Sequence, residues 1–515
     1  MEVLKFSDDN LAKSLSNNYT PEEVIKSKNH FRYLKGYLSA KGLDAKTIVI
    51  ESDYISKDYL HDYASYYAYC FEKYPKFCKR IHFFDIEFSL QEFQSIILSS
   101  VKEKEDFWKH YLGFIVVKPI PVTIIGYTVL KTYSGVQEFN SRNFWGIRDY
   151  SIHLFGNKVQ ISSLAFQEQD SVLAACATTA IWSMLNKAAA DFHTILKSPS
   201  EITKDADTVS PDGSRLFPNK GLNLLQICQA IFNSGLVSEI KQPDYPIFNE
   251  EGIEESRCIS NQYLKKIISA YSPIGIPIIL VIKVPNGLTS GLHAITVSGY
   301  KQHPPKAVAV NEDVSWLSDN IEKFYAHDDQ WGPFTRIDFI GDYELDTPWT
   351  AFHKEKRTTL VTNVVVSIYP KIRINYEDIE VIVLGLDTIL SIFFKDKVVG
   401  DLVWDIKIDY SENFKETIKK SSLPDEDKIA INTRCFPKYL WLATCYIGEH
   451  KLFDFSFDAT DVSNGMIGED VICYIPAIKL VLHDFLNLNA HLLSLLFKHR
   501  ASANYYQYLI TQLQK

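Results

Sequence analysis

A chain of 515 residues exceeds the roughly 250–300 at which a single hydrophobic core stops growing, so two or three domains are expected. Hydrophobic residues at 46% and charged residues at 23% exclude a disordered or fibrous chain and provide for sizeable cores. The formal charge of −9 excludes a general surface for nucleic acid or anionic membrane, both of which need clustered positive charge.

Residues 1–150 read as an α+β region. Positions 56–74 carry a helical pattern, and 90–110 read as one amphipathic helix with Phe93, Ile96, Ile97, Val101 and Phe107 close to one face. Positions 113–117 and 123–130 read as strands. Tyr59, Tyr63, Tyr66, Tyr67, Tyr69 and Tyr74 offer large contact area, either as a recognition surface or, more simply, as core and rim of this region. His61 with Asp62, and His82 with Asp85 and Glu87, have ligand chemistry without HExxH or CxxC spacing, so no metal is expected. No GxxxxGK[ST] loop and no GxGxxG after a strand occurs, so no nucleotide cofactor is expected either.

Residues 151–370 open on a short strand-like piece, 153–161, and an Ala-rich helical run, 174–190. A polar loop is expected over 198–221, with Pro199, Pro211, Gly213 and Pro218, followed by helices at 222–234 and 261–271. Arg215 and Asn219 in that loop have two readings, groove lining or a polar turn, and the turn is the simpler. The compact apolar runs 276–284, 293–300 and 321–327 read as buried strands, so helices precede a sheet. Residues 371–515 form a second flanking α+β region, with strands expected at 379–384, 402–408 and 439–447, a loop at 419–427 and an apolar C-terminal helix at 477–496.

The eight cysteines (Cys70, Cys78, Cys176, Cys228, Cys258, Cys435, Cys445 and Cys473) form neither CxxC pairs nor a dense framework, which points to a reducing compartment. Met1 to Asp9 lack a basic segment followed by an apolar one, so the expectation is a cytoplasmic protein without a secretory signal. The most apolar stretches, 276–284 and 111–130, are too short to span a bilayer or broken by Lys118, Pro119 and Pro121, so no membrane insertion is expected.

A thiol is a useful nucleophile only as thiolate, and a helix N-terminus and a nearby imidazolium both lower its pKa. Cys176 lies in Ala174-Ala175-Cys176-Ala177-Thr178-Thr179-Ala180-Ile181-Trp182, where small residues lead into the Ala-rich helix. His293 lies in Gly291-Leu292-His293-Ala294-Ile295-Thr296-Val297-Ser298-Gly299-Tyr300, with a turn delivering the imidazole at the start of a strand. Further on, Phe324-Tyr325-Ala326-His327 runs into Asp328-Asp329-Gln330-Trp331-Gly332-Pro333-Phe334, placing carboxylates at a strand end where one can orient a general base.

Over about 166–334 this order resembles the papain-like cysteine peptidases, closest to the bacterial branch that includes the bacteriocin-processing double-glycine peptidases. The segment from His293 to Tyr300 is the most specific part of the likeness, and the Cys-headed helix carrying Trp182 is next. The resemblance implies a papain-like α+β core with Cys176 as nucleophile, His293 as base and Asp329 or Asp328 as the orienting acid. It also implies Gln169 as an oxyanion donor. Asp329-Gln330-Trp331-Gly332 looks like the Asn-Ser-Trp-Gly of papain and slightly favours Asp329, whereas Asp328 fits the Asp-x-x-x-Gly arrangement of the bacterial branch. Gln169 stands seven residues before Cys176, one more than the usual spacing, which leaves Gln167 as its alternative.

The implied chemistry is acyl transfer on a protein or peptide substrate, with flanking regions for substrate selection or a regulatory partner. Hydrolysis, transglutaminase-like ligation and a non-catalytic scaffold are the competing outcomes.

Overall fold

In the computed structural model the described residues are 1–40, 42–99, 101–133, 142–209, 218, 221–286, 289–303, 314–350, 358–395, 400–463, 468–489 and 511. The architecture is mixed α+β, built on three principal sheets.

The N-terminal sheet is an antiparallel meander of Glu2–Lys5, Thr47–Tyr54, Cys78–Phe84, Tyr111–Val117 and Ile125–Leu130. Its inner strands bury residues on both faces because both are covered. Ile48, Ile50, Ile81, Phe83 and Leu112 pack towards the helices Asp8–Leu15 and Asn29–Leu38, and Val49, Phe84, Phe114 and Val116 enter a second core. That second core also holds Ala177, Ile181, Trp182 and Leu185 of the helix Cys176–Phe192.

The central sheet is antiparallel and closes on itself, since Ile278–Asn286 pairs with both Thr289–Gln302 and Thr359–Ile368. Ile321–Asp328, Gly332–Ile340 and Glu344–Asp346 complete the circuit, and Val237–Lys241 and Arg142–Asn143 add at its margins. A third sheet runs Ser315–Trp316, Leu402–Tyr410, Tyr439–Ile447, His450–Asp458 and Gly468–Cys473. One continuous core joins it to the central sheet, from Ile259 through Trp404 and Trp441 to Leu486.

Several elements differ from the expectations. Positions 379–384 are not a strand but the interior of the helix Tyr376–Phe394. Asn375 and Asp378 form a capping box there, and Ile379, Ile382, Val383, Leu386, Ile389, Leu390 and Phe393 are buried at helical spacing. The expected loop at 198–221 contains the helix Pro199–Ala206, capped reciprocally by Ser198 and Glu201 with Pro199 in its first turn. Positions 419–427 are the end of Ser411–Lys420, a short link and the start of Asp425–Thr433.

The single helix expected at 90–110 is two, Leu90–Leu98 and Val101–Trp108, which still bury Phe93 and Phe107; the Val101 side chain lies outside the described residues. Over 56–74 the α-helix is confined to Lys57–Ser65. Positions 153–161 belong to a hairpin, Arg148–Leu154 with Asn157–Ser163, whose turn residues Phe155 and Gly156 both adopt positive φ. The C-terminal helix runs Pro476–Leu488, and positions 490–496 lie outside the described residues, as do Arg215 and Asn219. No described helix is long and apolar enough to cross a membrane.

Candidate active site

Cys176 is the first residue of the helix Cys176–Phe192 and is partly exposed. Ala175 is the N-cap and offers no side-chain oxygen, so the N–H groups of the first turn keep their capacity to donate outward. Below that turn the helix is buried through Thr178, Thr179, Ala180, Ile181 and Trp182. Thr296, on the strand Thr289–Gln302, donates its hydroxyl to the Ala180 carbonyl at 3.0 Å and so fastens the helix to the strand that carries His293.

His293 is not at the start of its strand, as expected, but inside it, opposite Ile282, because the strand begins at Thr289. The imidazole is buried. Its Nε2 lies 3.0 Å from Asp328 Oδ1 in a hydrogen bond and 3.3 Å from Asp329 Oδ1, and the Cys176 side chain also interacts with the ring. Burial opposes charge on the ring. The two carboxylates and the hydrogen bonds to Asp328 and Cys176 outweigh it and raise the His293 pKa well above its ordinary value.

The two acids are held differently. Asp328 Oδ1 also accepts the Gln330 N–H at 3.0 Å, and Oδ2 accepts the Trp349 indole N–H at 2.8 Å. The Trp349 ring packs edge-on against His293, centroids 5.2 Å apart, and covers the His293–Asp328 pair. Asp329 Oδ2 accepts from the Thr179 hydroxyl at 3.0 Å, whereas Oδ1 has no hydrogen-bond partner among the described residues. Burial, reinforced by the charge of Asp328, pushes the Asp329 carboxyl up to about 7 against the lowering effects of His293 and Thr179. Asp328 is thus the hydrogen-bonded partner of His293, and Asp329 a nearby carboxyl that changes charge near neutrality.

The segment leading into Cys176 is pinned by the N-terminal region. Glu168 pairs with Lys28 and accepts the Ile125 N–H, while Asp170 accepts the Val172 N–H and the Tyr67 hydroxyl. Gln169, between these anchors, is half-buried. Gln167 is buried and lines a small cavity with Thr179, Ser183, Thr296 and Asp329; its Nε2 has no hydrogen-bond partner among the described residues. The acid turn is pinned from the same side. His30 Nε2 donates to the Asp329 carbonyl at 2.7 Å, and Tyr33 packs against Gly332. These contacts join residues 299 positions apart and left no local signal in the sequence.

The other ligand-type residues are occupied elsewhere. His327 Nδ1 accepts the Phe334 N–H and Nε2 donates to the Leu164 carbonyl, and burial drops its pKa to about 4, so it is a neutral structural imidazole. His82 bonds Tyr111 and lies near Glu51, His110 rather than His82 pairs with Asp85, and His61 lies beside Glu201. Tyr59 and Tyr67 are core, with Tyr63, Tyr66 and Tyr74 packed on them, and Tyr69 is exposed.

Among the described residues, His293, Asp328 and Asp329 also bring three donor atoms within 4.8 Å, a set that suits a divalent ion. The hydrogen bonds from Trp349, Gln330 and Thr179 already engage three of the four carboxylate oxygens. No family model matches the chain, and no curated protein matches it.

Proposed function

We propose that the chain is a cysteine-dependent acyl-transfer enzyme with a papain-like core, acting by hydrolysis on a peptide or isopeptide bond. The observation that carries this reading is the meeting of a helix-heading Cys176 with His293, whose Nε2 is bound by Asp328. In this mechanism the Cys176 thiolate attacks the carbonyl carbon, and the oxyanion takes the Cys176 N–H with an amide of Gln169 or Gln167. The His293 imidazolium gives its proton to the leaving amine, and a thioester remains. Water then loses a proton to His293, attacks the thioester and expels the thiolate; an amine acceptor in place of water gives ligation instead.

The buried His293, the locked Asp328 and the partly exposed thiol together favour catalysis over a scaffold role, because they concentrate charge at a cost that packing alone does not require. A second reading, a divalent-ion site at His293, Asp328 and Asp329, rests on the closeness of their donor atoms.

The test is iodoacetamide labelling of the native protein across about pH 5–9, with cysteines mapped by mass spectrometry, since thiolate fraction sets the rate. Cys176 is expected to react fastest at mildly acidic pH and to lose that advantage in His293→Ala. Labelling of Cys176 no faster than of Cys435, which is exposed, overturns the reading. A chelator leaves the labelling rate unchanged if the site works by thiol chemistry alone and alters it if an ion is held there.

A further inference from the structure

On the far side of the acid turn a cavity of about 400 Å³ opens between the helix Asn29–Leu38 and the strand Gly332–Ile340. Its lining includes Arg32, Tyr33, Tyr37, Tyr133, Arg336 and Pro348, and no carboxylate among the described residues. We propose that this cavity is a binding site for an anionic group, a carboxylate or a phosphate. It stands independently of the thiol chemistry above.

In a chain whose formal charge is −9, two guanidinium groups line one concavity, and neither has a carboxylate partner among the described residues. Arginine presents a planar fork that meets carboxylate and phosphate with paired hydrogen bonds, and a concave site strengthens such contacts by excluding water.

The walls are held in place. The Tyr33, Tyr37 and Tyr133 hydroxyls donate to the carbonyls of Pro333, Lys131 and Phe334, and the Tyr133 hydroxyl also pairs with the Arg336 guanidinium. Tyr33 and Tyr37 stack with centroids 5.9 Å apart, and the Arg336 guanidinium lies 4.8 Å from the centre of the Tyr133 ring. A cation fixed over an aromatic face loses less freedom on binding a ligand than a free side chain does. The volume falls within the range of small-ligand sites, and the rings suit the apolar body of the molecule bearing the anion. The site also adjoins the catalytic candidates. Arg32 and Tyr33 share a helix with His30, which bonds Asp329, and Pro348 precedes Trp349, which bonds Asp328.

The experiment is isothermal titration of the full chain carrying Cys176→Ala, at low ionic strength, with inorganic phosphate in one arm and a triglutamate peptide in the other. Saturable binding at one site is expected in at least one arm, and the tighter arm identifies the anion. Arg32→Gln and Arg336→Gln are each expected to weaken it about ten-fold, and the double variant to abolish it. Arg32 is exposed, so its variant carries the test even if losing the Arg336–Tyr133 stack disturbs folding. No saturable binding in either arm, or equal affinity in the double variant, overturns the proposal.

Discussion

The Thr179 hydroxyl lies 3.0 Å from Asp329 Oδ2 and 2.8 Å from the Cys176 carbonyl, linking the first turn of the Cys176 helix to the acid turn. One side chain therefore ties the helix that begins at Cys176 to the acid turn.

Thr179→Val, nearly the same shape without the hydroxyl, tests that link. The Asp329 carboxyl loses a bond that lowers its pKa, so it is pushed still higher, and a buried carboxylate oxygen loses its donor. Cys176 alkylation is expected to slow about ten-fold, with a stability loss of about 1–2 kcal/mol in urea titration. An unchanged alkylation rate in a folded variant removes the coupling.

The two acids separate by pH. Asp328 is the hydrogen-bonded partner of His293, so Asp328→Asn is expected to lower the His293 pKa and cut Cys176 alkylation most at mildly acidic pH. Asp329 gains its charge only as pH rises through about 7, where a second negative charge further favours the imidazolium. Asp329→Asn is expected to keep rapid labelling at pH 6 and to erase the inflection near 7. The reverse ranking, with Asp329→Asn the more damaging at pH 6, assigns the orienting role to Asp329.

The local signals were of unequal reach. The Ala-rich run and the apolar segment after His293 announced a helix and a strand because each pattern is carried by neighbouring residues. Ser198, Pro199 and Glu201 also spelled a helix start, but the Pro and Gly around them read as loop. At 379–384 the run of Ile and Val favoured a strand, while the burial period of the full segment from Tyr376 to Phe394 made it a helix. Trp349, Thr179, His30 and Glu168 join the site only through tertiary contacts, for which composition and spacing hold no record.

Gly332 is a steric requirement of the acid turn. A Cβ there would stand 2.2 Å from Tyr33 Cδ1, so Gly332→Ala must displace either the ring or the turn. A loss of about 1–3 kcal/mol is expected, with slower Cys176 labelling as the Asp328 carboxylate shifts. In a Tyr33→Ala background the same substitution is expected to cost less, because the clash has been removed. Equal costs in the two backgrounds would show that the ring is not what Gly332 accommodates.

Asp62 places a pH dependence on the whole fold. It is buried and accepts the Ser200 N–H at 3.2 Å. Burial, with the charges of Asp170 and Asp58 and against that of Lys118, pushes its carboxyl up to about 7. The folded-state pKa lies above the unfolded value of about 4, so the native protein binds the extra proton between the two. The stability this contributes is fully present below about pH 4 and is lost as pH rises through about 7. Asp329 and Asp58 are shifted the same way, so the informative quantity is the difference between parent and Asp62→Asn. Asparagine keeps a carbonyl for the Ser200 N–H and carries no charge. The variant is expected to match the parent near pH 4 and to exceed it at pH 8 by at most about 4 kcal/mol in urea unfolding. A difference that stays constant from pH 4 to 8 means that Asp62 ionises as freely in the fold as outside it, and the penalty for its burial is then met by Lys118.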